Sequence, residues 1–128
     1  MAICIRFQIN SSSIFPLTPP LPLPDGICEQ QLFDFITSVR VEGAPEAEMK
    51  AYGTNDFKRF VYTWGLAKDT NGKCLELGGN PYFTTMLLKK FTNLDVSLAN
   101  YFAFENNGEF SQTVIYKDLD HSKKNEDF

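Results

Sequence analysis

The sequence predicts an α/β domain in which helices come first and a strand, helix and strand unit follows. Three observations carry that expectation. Apolar residues recur at helical spacing between Ile27 and Trp64, and a short apolar run ending at Leu77 is then broken by Gly78 and Gly79 ahead of another helical stripe. A second apolar run behind that helix supplies the partner strand. Composition agrees with one globular domain, since 43% of the 128 residues are hydrophobic and 14% aromatic. The formal charge of −4 withholds the electrostatic attraction that drives nucleic-acid binding, so no direct nucleic-acid partner is expected. No run reaches the roughly 18 apolar residues of a membrane span, and Met1 to Ile14 holds only Arg6 and too short an apolar stretch for a signal peptide. A cytoplasmic protein is the expectation.

Residues 1–24 read as a proline-rich extended arm. Five prolines between Pro16 and Pro24 forbid a helix and favour polyproline II, lying on the surface or trailing from it. Pro16 and Pro19 also fit a PxxP ligand for an aromatic groove.

Residues 25–72 read as amino-terminal helices. Leu32, Phe35, Ile36 and Val39 share one face of a helix over about 27–40, with Asp25 as a cap and Gly43 and Pro45 beyond its end. A second helix opens near Pro45 with Glu46 and Glu48 in its first turn and pauses at Tyr52 and Gly53. Thr54, Asn55 or Asp56 caps a third, whose stripe is Phe57, Phe60, Val61 and Trp64; Gly65 weakens it, and 69–72 is a turn.

Residues 73–128 read as the α/β part. The run Lys73 to Leu77 is a strand, and the helix after the glycines takes Pro81 in its first turn and Lys89 and Lys90 in its last. Leu94 to Phe102 is the next strand, Asn106 to Gly108 a turn, and Phe110 to Tyr116 a third strand or hairpin arm. The polar stretch from Lys117 to Phe128 is expected to fray.

Ligands of such units sit at the carboxyl ends of the strands. A dinucleotide would need G-x-G-x-x-G, but counting from Gly78 the later glycine positions hold Asn80 and Phe83. The run Leu75-Glu76-Leu77-Gly78-Gly79-Asn80-Pro81-Tyr82-Phe83 resembles motif I of the class I methyltransferases that depend on S-adenosylmethionine (SAM), with an acid two positions before the first glycine. The later L-L-K-K-F and L-A-N-Y-F runs, together with Asp56, Arg59, Phe60, Tyr62 and Thr63, resemble a bacterial subgroup of that family.

The resemblance implies SAM as cofactor and an incomplete Rossmann-like methyltransferase fold of two or three strands behind amino-terminal helices. Glu76 would face the methionine ammonium, Gly78 and Gly79 would let the backbone approach the ligand, and Asn80 and Tyr82 would line the turn. The ribose hydroxyls would fall to Asn100, with Asp95 as the other candidate. A carboxylate and aromatic faces suit a ligand whose ammonium and sulfonium are both positive. Tyr52, Arg59 and Trp64 could form a lid, against core packing for Trp64 and Phe60.

Transfer of the methyl group to a small-molecule or other acceptor would be an in-line displacement, and no residue is assigned to its catalysis. Only 52 residues follow Glu76, whereas the complete family fold has seven strands, so the chain is expected to hold the amino-terminal part of the fold and to be weakly active or inactive alone. The alternative is a non-catalytic interaction module that uses the proline-rich arm and an exposed sheet edge, with self-association through that unpaired edge.

Metal is not expected. Cys4, Cys28 and Cys74 lack zinc-type or disulfide-framework spacing, and His121 is the single histidine. Asn10-Ser11-Ser12 matches a glycosylation sequon that has no meaning without a secretory signal.

Overall fold

The computed structural model describes residues 19–100 and 111–128. Cys4, the sequon, the PxxP pair through Pro16, the 106–108 turn and the end of the strand expected at Leu94 to Phe102 therefore lie outside the described residues. What is described is a mixed α/β arrangement. In chain order it runs α1 (Glu29–Ser38), β1 (Arg40–Val41), α2 (Glu46–Asn55), α3 (Phe57–Ala67), β2 (Asn71–Leu77), α4 (Phe83–Phe91), β3 (Asn93–Ala99), β4 (Thr113–Lys117) and β5 (Lys123–Asp127).

The helical stripes read from the sequence are the core. Leu32, Phe35 and Ile36 of α1, Phe57, Phe60, Val61 and Trp64 of α3, and Phe83, Met86, Leu87 and Leu88 of α4 are buried together. Aromatic rings join the helices, with Phe60 stacked on Phe83 at 5.0 Å and Phe35 meeting Tyr116 edge-on at 5.8 Å. Trp64 is 3% exposed and donates its indole N–H to the Phe91 carbonyl, which makes it a core residue rather than a lid.

The expected strand, helix and strand unit is present. β2 and β3 pair in parallel through α4, from Asn71 opposite Asn93 to Leu77 opposite Ala99. One face of this pair is covered and the other open: Cys74, Glu76, Leu94, Val96 and Leu98 are half-buried, while Leu75 and Leu77 alternate with them and are exposed.

Several local expectations are corrected. α1 starts after Cys28, whose backbone N–H donates to Gln31 Oε1 at 2.9 Å, and Asp25 lies in a turn instead of capping. α2 does not pause at Tyr52 and Gly53 but runs through to Asn55. Gly53 is buried there, so close to the Phe83 ring that a β-carbon at that position would lie 3.1 Å from it. Pro81 precedes α4 and is not in its first turn. The N-cap is Tyr82, held at φ 79 with its N–H donated to the Gly79 carbonyl, and the helix starts at Phe83.

The largest correction is the tail. The segment from Lys117 to Phe128 is not frayed: β5 pairs antiparallel with β4, from Thr113 opposite Asp127 to Lys117 opposite Lys123. β4 in turn pairs with β1, giving a three-stranded antiparallel sheet in the order β1-β4-β5, separate from β2 and β3. Its anchor is Asp118, which pairs with Lys90 of α4 and, at 2.5 Å, with Lys124. The described part of the arm is also fixed. Tyr62 donates to the Pro19 carbonyl at 2.6 Å, Leu21 and Leu23 pack on the core, and Pro22 lies against Gly65, where any side chain would collide with it at 2.4 Å.

Candidate functional site

The residues singled out around the glycine turn converge at the carboxyl ends of β2 and β3. Glu76 is the penultimate residue of β2, and the chain reverses at once: Gly78 takes φ 68, a conformation open to glycine, and donates its N–H to the Ala99 carbonyl at 2.8 Å. Gly79 then passes directly over the acid. A β-carbon there would lie 3.1 Å from the Glu76 carboxyl carbon and 3.0 Å from Thr85 Oγ1, so the absence of a side chain lets the turn close over that pair. Thr85, in the first turn of α4, donates its hydroxyl to Glu76 Oε2 at 2.5 Å. Burial pushes the Glu76 carboxyl above the ordinary carboxylate range, with the Thr85 hydrogen bond opposing it.

On the other side of the turn lies a network of neutral groups. Asn100 Oδ1 accepts from the Asn80 backbone N–H at 3.2 Å, and Asn100 Nδ2 donates to the Tyr82 hydroxyl at 3.2 Å. Tyr82 and the Asn80 side chain both donate to Gln112 Oε1, at 2.5 and 2.9 Å. An amide carries two donors and an oxygen with two lone pairs, so Asn100 keeps one of each for a ligand. Burial raises the Tyr82 phenol, so it stays protonated at neutral pH and works as a hydrogen-bond donor.

Glu76, Gly78, Gly79, Asn80, Tyr82 and Asn100 thus form one cluster. Asp95, the other ribose candidate, faces Lys73 in the strand register and lies within β3, away from that carboxyl end. Tyr52 and Arg59 share a hydrogen bond at 3.1 Å beside Phe60 and Phe83. A cavity of about 380 Å³ adjoins the turn between Asn80, Pro81 and Gln112 on one side and Met49 and Tyr52 of α2 on the other.

Three members of the site were not anticipated from the sequence. Thr85 had a signal, being a hydroxyl in the first turn of the helix that follows the acid. Gln112 and Phe128 had none, because they arrive through long-range folding: each takes the other's backbone N–H at 2.8 Å, and the Phe128 ring packs 5.0 Å from Tyr82.

Chemically the cluster offers one half-buried carboxylate, neutral donors and acceptors, and a backbone turn without side chains. Within that set the Thr85 hydroxyl stands on the Glu76 carboxyl, while Asn80, Tyr82, Asn100 and Gln112 supply the neutral groups. Among the described residues no group of three or more metal-ligating side chains lies together, and no helix is long and apolar enough to cross a membrane. Comparison with protein-family models, with curated proteins and with solved structures finds no match to this chain.

Proposed function

We propose that the chain carries the cofactor half-site of a class I SAM-dependent methyltransferase, with the β2-α4-β3 unit as the opening part of a Rossmann-like fold and methyl transfer to an acceptor as the reaction. The observation that carries this reading is the convergence of Glu76, the bare glycine turn and Asn100 at the carboxyl ends of two parallel strands. The donor set suits the cofactor. Glu76 would hold the ammonium, the Gly78 turn has nothing within 4 Å of where a side chain would stand, and Asn100 would bond the ribose with its remaining donor and acceptor. When bound, the cofactor supplies an electrophilic methyl group on a sulfonium. The chain's own part is to orient it, with the Glu76–Thr85 pair beneath the turn and Tyr82 and Gln112 bracing Asn80 and Asn100. A cytoplasmic location accompanies this reading.

The test is a calorimetric titration of SAM into the full chain and into Glu76→Gln, which keeps the shape and the Thr85 contact while removing the charge. Saturable binding weakened at least tenfold in the variant is expected, about 1.4 kcal/mol. Equal affinity in the two proteins sinks the assignment.

A second reading, an interaction module, is favoured by Leu75 and Leu77 side by side on the open face of β2, with no strand paired beyond β2 or β3 among the described residues. Sedimentation that shows concentration-dependent self-association, abolished by Leu77→Ser, would support it; a monomer at all concentrations would remove it. The proline-rich arm contributes less to this reading, because residues 19–24 already pack on α3 and the core.

A further inference from the structure

A hollow lies away from the glycine turn, where α1, α2 and the β4-β5 hairpin meet. It measures about 560 Å³, within the range of small-molecule sites. Its apolar lining is Phe35, Val39, Met49, Ile115 and Leu119, and its charged lining is unbalanced. Arg40, Lys50, Lys117 and Lys123 bring four cations, and none of them has an ion-pair partner among the described residues. Three acids, Asp34, Glu46 and Asp118, also line it. The charge of Asp118 is already matched by Lys90 and Lys124, which leaves Asp34 and Glu46 against those four cations. In a chain of net charge −4 this is a local reversal of sign.

A second observation is independent of the count. Lys117 and Lys123 stand directly opposite each other across the β4-β5 ladder and both line the cavity. Like charges in that position repel and destabilise the hairpin, and an anion seated between them turns the repulsion into attraction. The strand that carries Lys117 is also held firmly, since its backbone N–H donates to the Ser38 hydroxyl at the end of α1 at 2.9 Å.

We infer that this cavity binds an amphipathic organic anion, whose carboxylate or phosphate lies between Lys117 and Lys123 and whose apolar body rests on the part-exposed Met49, Ile115 and Leu119. The site is separate from the glycine turn and does not depend on the methyltransferase reading.

The probes are octanoate and octyl phosphate, with 1-octanol as the neutral control, titrated calorimetrically into the full chain. At least one anion should saturate one site and bind at least tenfold more tightly than octanol, and the better of the two identifies the head group. Lys117→Gln with Lys123→Gln, both exposed positions, should weaken that anion at least tenfold while thermal unfolding without ligand stays at or above the unsubstituted temperature. The inference is overturned if neither anion saturates, if octanol binds as well, or if the double variant, folded by that criterion, keeps full affinity. Should the double variant unfold early, Lys123→Gln alone replaces it, with at least a threefold loss expected and an unchanged affinity overturning the inference.

Discussion

In β4 the apolar residues Val114 and Tyr116 are buried beside α1, whereas in β2 Leu75 and Leu77 stand 40% and 61% exposed. The contrast runs opposite to the sequence pattern. β2 and β3 form the parallel unit that the glycine turn announces, yet only one of their faces is covered by the described residues. The hairpin of apolar β4 and polar, charged β5 closes the core instead. Parallel strands ordinarily need both faces covered, while an antiparallel sheet tolerates water on one side. The candidate cofactor site therefore rests on the less enclosed sheet, and the hairpin braces it from outside through Gln112 and Phe128.

Substitutions can break this contrast or sharpen it. Phe35, fully enclosed and touching both Phe91 and Tyr116, should show the greatest effect: Phe35→Ala is expected to cost about 3–5 kcal/mol in urea unfolding. A cost under 1 kcal/mol would mean that the hairpin does not close the core.

Asp118 ties that hairpin to α4. Its two lysines hold its carboxyl well below the usual carboxylate range, so the stability it contributes is present above the ordinary value and is lost as pH falls. Asp118→Asn should cost about 1–2 kcal/mol at pH 7, less than a fully buried pair because Lys124 is half-exposed, and the difference from the unsubstituted protein should shrink steadily as pH falls below the ordinary carboxylate value. A loss of the same size at every pH would point to packing instead of charge.

Glu76 has the reverse sign. Because burial raises its carboxyl, its contribution to stability is present at low pH and is lost as pH rises through the elevated value, so the ionised form is a cost at neutrality. Glu76→Gln should raise the midpoint of thermal unfolding at pH 7 to 8 and leave it unchanged below the ordinary carboxylate range. A lower midpoint at pH 7 would contradict this. The smallest effect is expected on the open face, where Leu77→Ser should change stability by no more than about 0.5 kcal/mol.

The helical stripes were legible in the sequence because burial repeats every turn, and Phe57, Phe60 and Trp64 needed no partner to be recognised. The parallel unit was legible because two glycines interrupt an apolar run. Of the hairpin, β4 was legible as the strand or hairpin arm expected at Phe110 to Tyr116, and β5 was not. Lys123 to Asp127 is charged at all but Asn125, and its pairing comes from the register with β4, the Asp118 ion pairs and the closure at Phe128, which the local pattern does not announce. The same cause divides the site. Glu76, the glycines and Asn100 belong to one local pattern, while Gln112 enters from a segment that the pattern does not mention.

The bond from Tyr82 to Gln112 spans 30 positions, and the one from Asn80 spans 32. During synthesis the glycine turn, the parallel strands and Asn100 all leave the ribosome before Gln112 does. The turn therefore exists for a time without its outer brace, its amides and phenol bonded to water, and a stretch that emerges later is the one that fixes their orientation.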